Sequence, residues 1–249
     1  MHILTLNTWH NNGPWLQRRD ALIQGILQYA PDILLLQELF DTDWSRELQA
    51  RLAYPFFVAT ESADSGLVIL SKLPPKSNEI YRMTIKSPFE TYWRYALCAE
   101  FTDRVHRLKI FNTHLSWELK DHATREAQVR ELLSFIENHL DPSEGEFTIV
   151  GGDFNSTPDS ADMTWFLGQS GLIDTYETLH PGAAGFTWNS RNLFAQNHGP
   201  VLPDRRIDYI LADARLAKNL KRCEIVFDTP DALGIFASDH FGVLAEFDK

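Results

Sequence analysis

Short apolar runs that belong to neither a surface strand nor a free helix recur along this chain. Ile33-Leu34-Leu35-Leu36 is apolar at every position, and Ile3–Leu6 and Phe147–Val150 are nearly so. A strand with no polar alternation must be covered on both faces, which is the situation of strands in layered α/β proteins. The segments between these runs supply the cover. Asn12-Gly13-Pro14 opens a helix with proline in its first turn, and Leu16, Ile23, Ile26, Leu27 and Ala30 form its apolar face before Pro31-Asp32 stops it. A second helix follows Asp41, with Trp44, Leu48 and Leu52 on one side, and the longest helical pattern runs from Glu118 to Leu140. Ser156-Thr157-Pro158 signals a further helix start. Strands are expected at Phe56–Ala59, Gly66–Leu70, Glu79–Thr84, Tyr95–Phe101, Leu108–Asn112, Arg206–Leu211, Ile225–Phe227 and Gly242–Phe247. Residues 180–204, rich in Gly, Asn and Pro, read as a long surface loop.

An echo links the two halves. Leu6-Asn7-Thr8-Trp9 and Phe111-Asn112-Thr113-His114 each end a strand, precede a helix and lead to another strand that ends near a carboxylate, Glu38 in one case and Asp153 in the other. Two related α/β halves packed sheet against sheet would produce this pattern. No linker or shift of composition divides the 249 residues, so residues 1–249 are expected to form one domain. Cys98 and Cys223 do not make a disulfide framework, and neither has metal-ligand spacing. No apolar run approaches the ~20 residues of a membrane span. The first residues lack an export signal, so the cytoplasm is the default compartment. The net charge of −11 disfavours a non-specific grip on nucleic-acid backbone, although it does not exclude a nuclease.

Polar residues cluster where the buried runs stop. Asn7 ends the first, Glu38 the second and His114 a later one, while Asp153 and Asn155 follow Phe147–Val150. Asp208 lies inside Arg206–Leu211, and Ser238-Asp239-His240 precedes the last strand. Groups at strand ends converge on one crevice in α/β proteins. Four carboxylates, two histidines and two carboxamides gathered there would need a cation, because neighbouring carboxylates raise one another's pKa. The donors are oxygen-rich, which suits Mg²⁺ or Mn²⁺ better than zinc. Taken singly, each residue has an ordinary structural explanation; their joint order does not.

That order resembles the endonuclease/exonuclease/phosphatase superfamily. The motifs that carry the resemblance are Asn7, Gln37-Glu38, Thr113-His114, Gly152-Asp153-Phe154-Asn155, Arg206-Ile207-Asp208-Tyr209 and Ser238-Asp239-His240. The resemblance implies a four-layer α/β sandwich, with two packed β-sheets flanked by helices, and a Mg²⁺-dependent phosphoesterase in which Mn²⁺ can substitute. By the same resemblance Glu38 is the main metal ligand, with Asn7 beside it and Asp239 as a further metal-linked acid. Asp153 orients or deprotonates water, Asn155 binds phosphate, His240 contacts phosphate with Asp208 orienting it, and His114 stabilises the transition state or serves as leaving-group acid.

Substrate is less constrained, because loops over a shared site set it. The motifs divide between a sphingomyelinase-like branch and a repair-phosphodiesterase-like one. Trp93, Arg94, Trp188 and Arg191 are candidates for a substrate-binding rim, an aromatic to stack and an arginine to hold phosphate. Three readings follow: a phosphodiesterase or phosphatase on a small-molecule or lipid head-group ester, with peripheral membrane contact if the ester is lipid; a nuclease or DNA-repair phosphodiesterase; and a non-catalytic binding scaffold on the same fold. The charge balance favours the first.

Overall fold

The structure, a computed structural model, describes residues 1–59, 64–102, 107–140, 145–197 and 202–248. One sheet is built from β1 (His2–Asn7), β2 (Ile33–Gln37), β3 (Phe56–Ala59), β4 (Val68–Ser71), β11 (Leu220–Val226) and β12 (Gly242–Phe247), in the order β11-β12-β1-β2-β4-β3. The other contains β5 (Pro75–Arg82), β6 (Tyr95–Thr102), β7 (Arg107–His114), β8 (Phe147–Asp153), β9 (Leu172–Asp174) and β10 (Asp208–Asp213), in the order β5-β6-β7-β8-β10-β9. Helices α1 (Trp15–Tyr29) and α2 (Thr42–Leu52) cover the first sheet; α3 (His122–His139) and α4 (Ala161–Ser170) cover the second, and α5 (Thr175–Leu179) follows β9. This is the expected four-layer sandwich.

Alternation of side chains along each strand explains why the runs carry no polar positions. Ile3, Ile33, Leu35 and Ile69 of the first sheet meet Leu97, Ile110, Ile149 and Ile210 of the second between the sheets. Leu4, Leu6, Leu34 and Leu36 point the other way, onto Leu22, Ile23 and Ile26 of α1 and Trp44, Leu48 and Leu52 of α2. Phe111, Val150 and Leu211 do the same against α3 and α4. Each fully buried Leu or Ile contributes on the order of 1.5–3 kcal/mol.

The two halves share a plan. β1 and β2 are parallel, joined through α1, and β7 and β8 are parallel, joined through α3. Each crossover helix has an arginine as its fourth residue, Arg18 in α1 and Arg125 in α3, and both are buried. Arg18 donates to the carbonyls of Thr8 and, at 2.6 Å, Asn12, while Arg125 donates to Ser116 and Leu119 at 3.2 Å each. Each guanidinium thus holds the loop between its strand and helix by satisfying buried backbone acceptors. Between the sheets, Gln37 Nε2 donates to Asn112 Oδ1 at 2.7 Å, and Asn112 Nδ2 donates to the carbonyls of Leu36 and Val68 at 2.9 and 3.1 Å. This polar bridge fixes how one sheet lies on the other.

Several boundaries differ from expectation, each for a local reason. Leu16 and Leu27 are exposed; α1 turns Leu22, Ile23, Ile26 and Arg18 inward instead. The long helix begins only at His122, where the Asp121 side chain accepts from Thr124 N, so Leu119 lies in the preceding loop. Ser156-Thr157-Pro158 does not start α4, which is capped by Ser160. β5 lies toward Pro75, four residues before the expected start at Glu79, and the short β9 and α5 escape periodicity altogether. Part of the expected 180–204 loop, residues 198–201, lies outside the described residues. Cys98 and Cys223 are buried free thiols on different sheets. Among the described residues no helix is long and apolar enough to cross a membrane.

Replacing Asn112 by Ala should lower unfolding stability by about 2–4 kcal/mol, because it strands buried polar partners and opens a cavity. Urea denaturation with unchanged m-value measures this. A loss under about 0.5 kcal/mol would mean that the bridge does not hold the sheets together.

Candidate active site

Parallel and antiparallel pairing together bring the polar residues to one edge. The parallel strands β1 and β2 both end there, with Asn7 opposite Gln37 and Glu38 next in the chain. In the other half β7 and β8 end with His114 opposite Asp153. β10 and β12 run antiparallel to these strands, so their beginnings lie at this same edge: Asp208 pairs with Asp153, and His240 stands just before β12.

Asp153 is the centre of the cluster. Asn7 Nδ2 donates to Asp153 Oδ2 and to Glu38 Oε1, each at 3.0 Å, so one amide joins the two carboxylates. Asn155 N donates to Asp153 Oδ1 at 2.8 Å. His114 Nε2 lies 3.4 Å from Asp153 Oδ2, and His240 Nε2 lies 3.8 Å from the same oxygen. The other ring nitrogen of His240, Nδ1, is 2.9 Å from Asp208 Oδ2. Asp208 is held in turn by the Thr187 hydroxyl, which accepts from the backbone N–H groups of Ile207 and Asp208. Ser238 Oγ donates to the carbonyl of Asn7, tying the His240 segment to β1.

Backbone conformation aims these groups. Glu38 and Asn155 both adopt positive φ, +58° and +51°, in the left-handed region that non-glycine residues seldom occupy. Trp9 and His10, in the loop held by Arg18, do likewise. Such turns cost energy and cluster at sites where a side chain must leave the path of its strand. Gly152 permits the approach of Asp153: a Cβ there would stand 2.0 Å from the Thr113 carbonyl oxygen.

Burial and charge divide the titratable groups into opposite states. Burial, then Asp208, pushes the Asp153 carboxyl up to about 7. Burial, then the charge of Asp239, raises Glu38. His114 falls well below the ordinary imidazole range, through burial and then the nearby Arg94 and His240 charges, so its ring is neutral. Burial opposes the charge of His240 too, but attraction to Asp208 and Asp153 outweighs it and lifts the ring to about 10. A protonated His240 and a neutral His114 therefore flank one carboxylate.

The cluster opens into a cavity of about 580 Å³, lined by Glu38, His114, Asp153, Asn155, Asp239 and His240 together with an aromatic wall of Trp9, Tyr92, Trp117 and Trp188. Of the four expected rim residues only Trp188 lines it, with its ring edge-on to His240 at 4.9 Å between centroids. Trp93 instead packs on the inter-sheet core, with Arg82 over its ring. Arg94 is buried in an ion pair with Glu90 at 2.8 Å, where its charge reaches Glu38 and His114 without facing the cavity. Arg191 folds back on Asn189. Arg205, Trp9 and Trp117 line the cavity without having been singled out in the sequence. Arg205 was nonetheless adjacent to the Arg206-Ile207-Asp208 motif, the one signal that could have pointed to it.

Asp153, Asp208 and His240 place ligand-type atoms within 4.8 Å of one another, an arrangement able to bind a metal ion once the ring has given up its proton. Asp208 Oδ1 is buried without a hydrogen-bond partner, and Glu38 and Asp239 repel each other across the site, so the residues present fit a cation. Asn7, expected beside the metal, presents its amide nitrogen to Glu38 and Asp153 and its oxygen to Trp9 N, and so orients the carboxylates.

A model of the Endonuclease/Exonuclease/phosphatase family matches residues 4–240. The chain belongs to that family. Among curated relatives of this family member, Drosophila melanogaster Protein angel is 27% identical over 185 residues, 67% of this chain and 51% of its own length. Xenopus laevis Tyrosyl-DNA phosphodiesterase 2 is 24% identical over 98% of this chain and 66% of its own. The Saccharomyces cerevisiae Inositol phosphosphingolipids phospholipase C is 28% identical over 60% of this chain and 35% of its own. The chain therefore spans under two thirds of the length of each of these relatives. The fold is shared with D. rerio TDP2 complexed with single strand DNA product (TM-score 0.81, 22% identity, 100% and 99% coverage) and a Bacteroides thetaiotaomicron mannosyl-6-phosphatase (0.82, 19%, 100% of both). It is also shared with a Staphylococcus aureus beta toxin (0.80, 20%, 100% of both).

The state of His240 is open to a direct test. Its folded value of about 10 stands above the ordinary 6.5, so its contribution to stability is full below about pH 6.5 and is lost as pH rises through about 10. In metal-free protein, Asp208→Asn should lower the His240 titration seen by NMR by at least about 1 unit and flatten the fall of urea midpoint across that window. A variant that tracks the wild type in both measurements would show that Asp208 does not hold the proton on the ring.

Proposed function

We propose that this protein is a divalent-metal-dependent hydrolase of phosphate esters, acting on a phosphodiester of a small molecule or lipid head group. The observation that carries the reading is Asp153, a buried carboxylate gripped by Asn7 between a charged and a neutral histidine, at the floor of a cavity far larger than a phosphate group requires. A bound Mg²⁺ or Mn²⁺ would be held by the site's carboxylates, Glu38 and Asp239 with Asp153 and Asp208 close by, and would polarise phosphoryl oxygens.

The chain's own groups have complementary tasks. Asp153, whose pKa sits near neutrality, accepts a proton from the attacking water or fixes its orientation. His240, held by Asp208 and protonated, donates from Nε2 to a phosphoryl oxygen as charge builds there. One N–H of Asn155 is committed to the Leu115 carbonyl at 3.0 Å, which leaves the second for the same oxygen. His114, neutral at 3.4 Å from Asp153, is placed to relay a proton to the leaving group. The aromatic wall excludes water from the ester's organic part.

A second reading, a repair phosphodiesterase or nuclease, is favoured by the Xenopus laevis relative that covers nearly the whole chain and by aromatic rings able to stack on bases. The charge of −11 weighs against it.

The deciding experiment compares a bis-aryl phosphodiester, an aryl monophosphate, single- and double-stranded DNA and sphingomyelin, with Mg²⁺, Mn²⁺ or chelator. Turnover of the diester that chelation abolishes is expected; steeply salt-dependent cleavage of DNA in its place would select the second reading. Metal-independent turnover would remove the cation, and no turnover of any substrate would leave a binding scaffold.

Asp153→Ala and His240→Ala should stay folded and lose on the order of 1,000-fold in kcat. Asn155→Ala should cost about 3 kcal/mol of transition-state stabilisation. A loss of less than about threefold in kcat/KM would remove Asn155 from that role.

A further inference from the structure

Arg205 is a cation of the cavity lining that, among the described residues, pairs with no acid. It is 9% exposed and lines the cavity beside His240 and Asp153. Among the described residues its guanidinium has neither a hydrogen bond nor an ion pair, and its Nε is buried without a partner. The carboxylates of Asp153 and Asp208 attract it, yet among the described residues neither forms an ion pair with it. A buried Nε–H with no acceptor is expensive to maintain unless something completes it.

Its position is set by backbone pairing. Trp188 pairs with Arg205 on one side and with His240 on the other, through Trp188 N to the Arg205 carbonyl at 2.9 Å and Arg205 N to the Trp188 carbonyl at 2.8 Å. The Trp188 ring lies 5.6 Å from the guanidinium and 4.9 Å from the His240 ring. Arg205 and His240 thus present two positive groups to one cavity, both held against a common indole. The contrast with its neighbour is informative. Arg206 is buried against Asp174, with Glu177 at 3.7 Å and the rings of Tyr176 and Tyr209 beside it, and does not line the cavity. Of the two arginines preceding Asp208, one is spent on the fold and the other is not. The remaining lysine or arginine of the lining, Lys120, is exposed.

We infer that Arg205 is a substrate-binding residue that pairs with an anionic phosphoryl oxygen of the ester, opposite the oxygen met by His240. The inference rests on the phosphate-ester reading above and deepens it. The planar fork of arginine suits two oxygens of one phosphoryl group, which a lysine ammonium does not match. Arg205 therefore selects for the phosphoryl anion itself, and the aromatic wall is left to select the organic group.

The test is binding, read apart from turnover. Inorganic phosphate is titrated into the full chain by calorimetry, with Mg²⁺ and separately with chelator, for wild type, Arg205→Met and Arg205→Lys. Methionine keeps the length and removes the charge, and lysine keeps the charge and removes the fork. Arg205→Met should weaken phosphate binding at least about tenfold, with Arg205→Lys between it and the wild type. With a turned-over diester, Arg205→Met should lower kcat/KM by at least a similar factor. If Arg205→Met fails to fold, Arg205→Lys carries the test, and a loss of about threefold or more supports the inference. Wild type that binds no phosphate, or a folded variant that binds it as tightly as wild type, overturns the inference and reduces Arg205 to a counter-charge for Asp153 and Asp208. Arg205-dependent phosphate binding by a protein that hydrolyses nothing in the substrate panel would sustain the inference while removing the hydrolase reading.

Discussion

A carboxylate with almost no exposure to solvent has to find its compensation in its neighbours, and Asp153 is that carboxylate. Its two oxygens are met by an amide from one half of the molecule, a backbone N–H from its own turn, and two histidine rings at 3.4 and 3.8 Å. Each of these groups comes from a different element. The site therefore exists only when both sheets are assembled in one relative position. The buried Gln37–Asn112 bridge and the apolar layer around it hold that position.

The pairing of like halves gives the arrangement its economy. In each half a parallel strand pair leaves two chain ends at the same edge, and a buried arginine on the crossover helix holds the loop that departs from it. The loops so held carry Trp9 and Trp117 into the aromatic wall of the cavity. The halves are not equivalent in chemistry. One contributes Asn7 and Glu38, the other His114 and Asp153, so an amide and a carboxylate face a histidine and a carboxylate across the sheet interface.

The energetic costs of the fold fall at this edge. Left-handed Glu38 and Asn155 and a carboxyl pushed up to about 7 all oppose stability taken alone. The layers of Leu, Ile and Phe beneath carry them. A cation and an anionic ester together would relieve much of the cost, since each supplies a charge that the protein groups lack.

The strand ends could be read directly from the residues, because a strand covered on both faces leaves an apolar run and the polar residues that close it are conspicuous. Asn7, Glu38, His114 and Asp153 are of this kind, and Asp208 stood out as an acid inside such a run. The cavity wall is different. Trp93 and Trp188 look alike as tryptophans beside an arginine, yet Trp93 packs on the core and Trp188 on His240. Arg205 and Arg206 are adjacent, yet only Arg206 finds an acid. Leu16 and Leu27 fit a helical stripe and face solvent because α1 turns Arg18 inward instead. Periodicity and burial along one segment are local properties, encoded within a few residues. Which wall a loop residue joins, and whether a charge meets a partner, depends on segments brought together from across the chain.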